Sequence, residues 1–89
     1  MPEVNEMGGK KTRDGHKISD LTKLIRKIGG IEIVSGSKHR LLLKTENQRA
    51  CPLGPSTHAR QMLVPWLAQA TGYQNKEVYS AIQSRRWYN

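Results

Sequence analysis

The chain has a single cysteine, Cys51, in 89 residues. One thiol excludes a disulfide framework and a cysteine-based zinc site, and a reducing cytoplasm is the compartment it suggests. Acidic residues are scarce, seven against fifteen Lys and Arg. Asp14, Asp20, Glu32, Glu46 and Glu77 are scattered along the chain, which argues against two-metal nuclease chemistry. His16, His39 and His58 lie far apart with no Cys or carboxylate set to join them, so no metal and no other cofactor is expected. No run of eighteen apolar residues occurs and the N-terminus has no signal-peptide core, so a soluble, non-exported protein without membrane association is expected. A Gly-rich loop leading into Lys-Ser/Thr is also missing, which removes a nucleotide-hydrolase reading. There is no internal repeat and no low-complexity tract.

What the chain has in excess is positive charge, a formal +8. That balance calls for a polyanionic partner, and nucleic acid is the first candidate, although charge alone does not separate RNA from DNA. Residues 1–17 hold the Gly8-Gly9 pair, Gly15 and several charges but almost no apolar side chains. Such a segment has little surface to bury against its ordering entropy, so a flexible basic arm is expected over 1–17 and a single domain over 18–89. Lys10, Lys11, Arg13 and Lys17 would let the arm touch phosphates.

Within the domain, Leu21, Leu24, Ile25 and Ile28 recur at helical spacing, with Ser19 or Asp20 placed to cap and Gly29-Gly30 to terminate. Residues 31–34 and 39–45 read as two strands joined by Gly36 and Ser37. Residues 49–53 can form a third, short strand that Pro52 confines to an edge or an end. Gly54-Pro55-Ser56-Thr57 then breaks the chain ahead of a second helix carrying Ala59, Met62, Leu63, Trp66, Leu67 and Ala70. Pro65 either kinks that helix or marks its true start. Asn75 caps a last segment with Val78, Tyr79 and Ile82 on one face, ending in Arg85-Arg86-Trp87-Tyr88. The expected class is α+β, a small α-β-β-β-α domain with an added C-terminal helical segment. Cys51, in a strand, reads as a small core residue.

The most informative stretch is Ser35-Gly36-Ser37-Lys38-His39-Arg40, which sets one histidine between two cations at the mouth of a hairpin. An imidazole titrating near neutrality beside cations suits a site that meets phosphate and moves protons; the plain alternative is a surface histidine in a basic turn. The segment 20–71 resembles the HicA-type toxins, small bacterial mRNA-cleaving proteins with a fold like a double-stranded-RNA-binding domain. The resemblance rests on the helix ending in glycine, on Gly36-Ser37-Lys38-His39 leading the second strand, on the third strand with Pro52, and on the Leu- and Ala-rich helix that follows. It implies a Gly-Ser-x-His motif whose catalytic histidine is His39, an mRNA substrate, an endonuclease in a toxin–antitoxin pair, and an antitoxin protein as partner. The arm before Lys17 and the helical extension 73–89 depart from the family pattern.

Metal-free RNA cleavage uses the 2′-hydroxyl as nucleophile and needs a base, an acid and cations on the phosphate oxygens. His39 is the candidate base, or alternates as base and acid. Ser37, Lys38, Arg40 and Arg49 are candidate phosphate contacts, and His58 is a possible second acid–base group. Regular strand alternation would point Lys38 and Arg40 away from His39. Two other readings stay open: a non-catalytic nucleic-acid-binding module using the arm, Arg60 and the 85–88 tail, and a protein-interaction module such as a phage or mobile-element regulator.

Overall fold

The computed structural model describes residues 9–35 and 41–88. The chain is an α+β domain: α1 (Ile18–Ile28), β1 (Glu32–Ser35), β2 (Leu41–Lys44), β3 (Cys51–Leu53), a π-helical turn (Ala59–Leu63), α2 (Val64–Thr71) and α3 (Asn75–Ser84). The three strands form an antiparallel sheet in the order β1-β2-β3.

Strand alternation makes β2 the centre of the core. Leu41 and Leu43 are buried on one face while Leu42 is half-buried on the other. In register, Leu41 faces Leu53 and Leu43 faces Cys51, so the same face of β3 is buried. α1 supplies Ile18, Leu21, Leu24 and Ile25 to that core, while Lys23 and Arg26 are exposed. The expected caps of α1 do not act as caps. Lys17 is the N-cap residue without a side-chain bond, and Ser19 instead offers its carbonyl to the Thr22 hydroxyl. Gly29 and Gly30, at φ 82° and 77°, turn the chain sharply out of α1 toward β1, a path that residues with a Cβ follow only under strain.

Pro65 marks the start of α2. It has no N–H to donate to the turn before it, and that turn is widened, with Val64 N–H donating to Ala59 O. Gly72, in the left-handed conformation, closes α2 by donating its N–H to Ala68 O at 2.8 Å. α3 begins one residue earlier in its capping than Asn75 suggests: Gln74 is the cap, in a reciprocal pair with Glu77, whose carboxylate accepts the Gln74 N–H at 2.8 Å. Val78, Ala81 and Ile82 of α3 belong to the same core as the sheet, so the extension beyond Gly72 completes the domain. Burial pushes the Cys51 thiol up to about 11 and keeps it protonated in its strand.

Residues 9–17 depart from the expected arm. Lys11 and Lys17 bridge as an antiparallel pair around a Thr12–Gly15 turn, with Thr12 N–H donating to His16 O at 2.8 Å. Thr12 is 4% exposed, and Arg13 N–H donates to Thr57 O at 2.8 Å. The segment is ordered by hydrogen bonds to the domain, which apolar content does not register; residues 1–8 lie outside the described residues.

The face assignment is tested by truncation. Leu43→Ala should cost about 2–5 kcal/mol in urea unfolding, because it empties the centre of the core. Leu42→Ala, on the other sheet face, should cost clearly less in the same measurement.

Candidate nucleic-acid interface

Ser35 pairs with Leu41 and Leu41 pairs with Leu53, so the end of β1, the start of β2 and the end of β3 meet at one end of the sheet. Residues 36–40 connect two of those strand ends. The expected site residues Ser37, Lys38, His39 and Arg40 therefore lie outside the described residues, while both points of attachment are described.

The chain leaving β3 at the same end is held tightly. Thr57 N–H donates to Gly54 O at 3.0 Å, and the buried Thr57 hydroxyl donates to Pro52 O and accepts from Gly54 N–H, each at 3.0 Å. This closed turn delivers His58 and Ala59 to the start of the π-helical turn. There the Asp14 carboxylate, arriving from the Thr12–Gly15 turn, accepts the Ala59 N–H at 2.8 Å through Oδ1 and the Arg60 N–H at 3.0 Å through Oδ2. The Thr12 hydroxyl donates to Asp14 Oδ1 at 2.8 Å. A helical N-terminus has free amides and a positive dipole end, and a carboxylate satisfies both. Desolvation raises the Asp14 pKa, but the Arg60 and Ala59 amides and the Thr12 hydroxyl outweigh it and hold the carboxyl at about 2.

Both described histidines gather on this anchor. His58 Nδ1 is 3.4 Å from Asp14 Oδ2, and His16 Nε2 is 3.9 Å from the same oxygen. His58 Nδ1 also accepts the Gln61 N–H at 3.1 Å, so it caps the turn when neutral and carries its proton on Nε2. On protonation Nδ1 becomes a donor, and Asp14 is the acceptor within reach. Tyr79 of α3 sits between His16, whose ring is edge-on at 6.0 Å, and Arg60, whose guanidinium lies 4.9 Å from the ring centre. Clefts of about 410 and 400 Å³ open on the two sides of α3 and share Gln83; Lys11, Lys17 and Arg85 line one, Arg60 and Lys76 the other.

Arg49 stands elsewhere. It precedes β3 at the Leu43–Cys51 end of the pairing, and its carbonyl accepts the Trp66 indole N–H at 2.7 Å. Four residues of β2, about 10 Å, separate that end from the Leu41 end, so the Arg49 backbone is not at the hairpin mouth as a phosphate contact beside His39 would be. Asp14 is the group that sequence reasoning passed over as one of several scattered acids. Its Asp-Gly turn was legible, but its partners lie 45 and 46 residues away and leave no local signature.

Among the described residues, no group of three or more His, Cys, Asp or Glu side chains is arranged to hold a metal, and no helix is long and apolar enough to cross a membrane. Comparison with models of known protein families, with curated proteins and with solved structures finds no match.

The anchor predicts an acid limb. The folded-state pKa of Asp14 lies below its ordinary 3.8, so the stabilisation is complete above that value and is lost as the pH falls through about 2. Asp14→Asn should cost about 0.5–2 kcal/mol at neutral pH, as removal of a helix cap does. The variant should also lose less further stability than the parent between pH 4 and pH 2, measured by denaturant unfolding.

Proposed function

We propose that this protein binds RNA and cleaves it without metal through His39, in the manner of a HicA-type mRNA interferase toxin in the cytoplasm, held in check by an antitoxin protein. The observation that carries this reading is the shared sheet end. The strands that bound residues 36–40 end where β3 ends, and the chain leaving β3 there carries His58, backed by Asp14. The α-β-β-β-α order is the layout that the resemblance implies, and the formal charge of +8 suits a polyanionic substrate.

In the chemistry this supports, His39 takes the proton from the 2′-hydroxyl as that oxygen attacks the adjacent phosphorus. The O2′–P bond forms, the P–O5′ bond breaks, and the products are a 2′,3′-cyclic phosphate and a 5′-hydroxyl. The leaving 5′-oxygen needs a proton. Protonated His58 has Nε2–H to give while its Nδ1–H turns to Asp14, 3.4 Å away, which keeps the ring oriented. Lys38 and Arg40, with Ser37 at the turn, supply charge and hydrogen bonds to the phosphate oxygens.

A second reading, a non-catalytic nucleic-acid-binding module on the same scaffold, is favoured by the stacked and exposed rings of Tyr73 and Tyr88.

Cleavage of end-labelled single-stranded RNA in EDTA separates the two. The parent should leave 2′,3′-cyclic phosphate ends and leave DNA uncut, and His39→Ala should slow cleavage about a hundredfold or more with affinity largely kept. His58→Ala should slow it less and remove the alkaline-side limb of the pH–rate profile, the limb that a general acid produces. If neither the parent nor His39→Ala cuts but both bind RNA, cleavage is ruled out and the binding module stands.

A further inference from the structure

The C-terminal segment after α3 is built as a platform. Arg85 ends α3 at φ 61°, the left-handed conformation that a helix C-terminus usually gives to glycine and that strains a residue with a Cβ. Its N–H donates to Ile82 O and that of Arg86 to Ala81 O, so the chain reverses and runs back along α3. The Tyr88 hydroxyl then donates to Glu77 O at 2.7 Å, in the first turn of the same helix. The reversal gathers three rings: Tyr73 and Tyr88 stack at 4.9 Å and 29°, and Trp87 meets each edge-on at 5.3 Å.

These rings are pinned, yet Tyr73 and Tyr88 stay 36% and 48% exposed. Trp87 is half-buried and packs against the core, which leaves the tyrosine pair facing solvent. Two cations stand close to the rings in sequence, Lys76 three residues after Tyr73 and Arg86 directly before Trp87. Arg86 and Lys76 are exposed and make no ion pair among the described residues, while the Glu77 carboxylate is engaged by the Gln74 N–H. Immobilised, solvent-exposed aromatic rings on a strongly basic chain match the stacking platforms on which unpaired bases lie. The rings' ordering cost has been met in folding, so little conformational entropy opposes stacking.

We propose that Tyr73, Tyr88 and Trp87 form a stacking subsite for unpaired bases of single-stranded RNA, with Arg86 and Lys76 on the adjoining phosphates. It rests on the nucleic-acid reading above and extends it, because the platform selects an unpaired strand independently of the hairpin histidine. A base in a duplex has its faces covered and gains nothing here.

The test uses the full chain and fluorescence anisotropy with two uncleavable probes of 2′-O-methyl RNA: a labelled decauridine and a labelled blunt 16-base-pair duplex. The Tyr73→Leu/Tyr88→Leu variant should bind the decauridine about five- to fiftyfold more weakly, the scale of one or two lost stacks, with duplex affinity within twofold of the parent. Tyr73→Phe/Tyr88→Phe should restore most of the affinity, because it keeps the π-faces, and thermal unfolding should show each variant folded. Unchanged decauridine affinity in the Leu variant overturns the subsite; equal loss on both probes overturns it as well. A parent that binds the duplex but not the decauridine overturns the subsite alone. A parent that binds neither probe overturns the nucleic-acid reading and the subsite together. Ring-dependent binding by a parent that cuts no RNA upholds the subsite and ends the cleavage reading.

Discussion

Two backbone amides at the start of the π-helical turn donate to one acceptor, the carboxylate of Asp14, and His16, His58 and Arg60 are arranged around that contact. A carboxylate at a helix N-terminus meets free donors and a favourable dipole, so the bond is stronger than a neutral one and persists at any pH well above 2. Its geometric effect reaches further. It docks a segment of low apolar content onto the domain, and it brings His16, His58 and Arg60 within reach of one charged group. Thr57 supports it from the other side, closing the turn after β3 with both its backbone and its hydroxyl.

At the sheet end beside this anchor the end of β1, the start of β2 and the end of β3 coincide. The chain leaving β3 there carries His58, whose Nδ1 lies 3.4 Å from the Asp14 carboxylate. The stacking platform lies on another part of the surface, at the first turn of α3. Of the two clefts beside α3, one is lined by Arg60 and Lys76 and the other by Lys11, Lys17 and an Arg85 paired with Asp20 at 3.4 Å.

The elements with local causes were legible before the structure. The apolar spacing of Leu21, Leu24 and Ile25 fixes α1, the alternation at Leu41, Leu42 and Leu43 fixes β2, and Gly72 ends α2, because each signal lies within one turn or one strand. Capping was misplaced at both α1 and α3, where Ser19, Asp20 and Asn75 are good cappers by type but stand inside the helices. Arg49 suited a phosphate contact by residue type, and only the β2–β3 register shows that its backbone belongs to the far end of the sheet.

By itself the sequence determined the class of the fold, the order of its elements, the strongly positive charge and the presence of a histidine in the connection between the first two strands. Each of these follows from composition or from periodicity over a few residues. Tertiary structure decided what lies beside what. Residues 9–17 dock through hydrogen bonds to amides far along the chain, Val78 and Ile82 enter the core from a segment read as an extension, and Arg85 reverses the chain so that Tyr88 stacks on Tyr73. No local pattern encodes those contacts, because the partners are distant in sequence and the groups that join them, a carboxylate, a hydroxyl and a phenol, are equally at home in water.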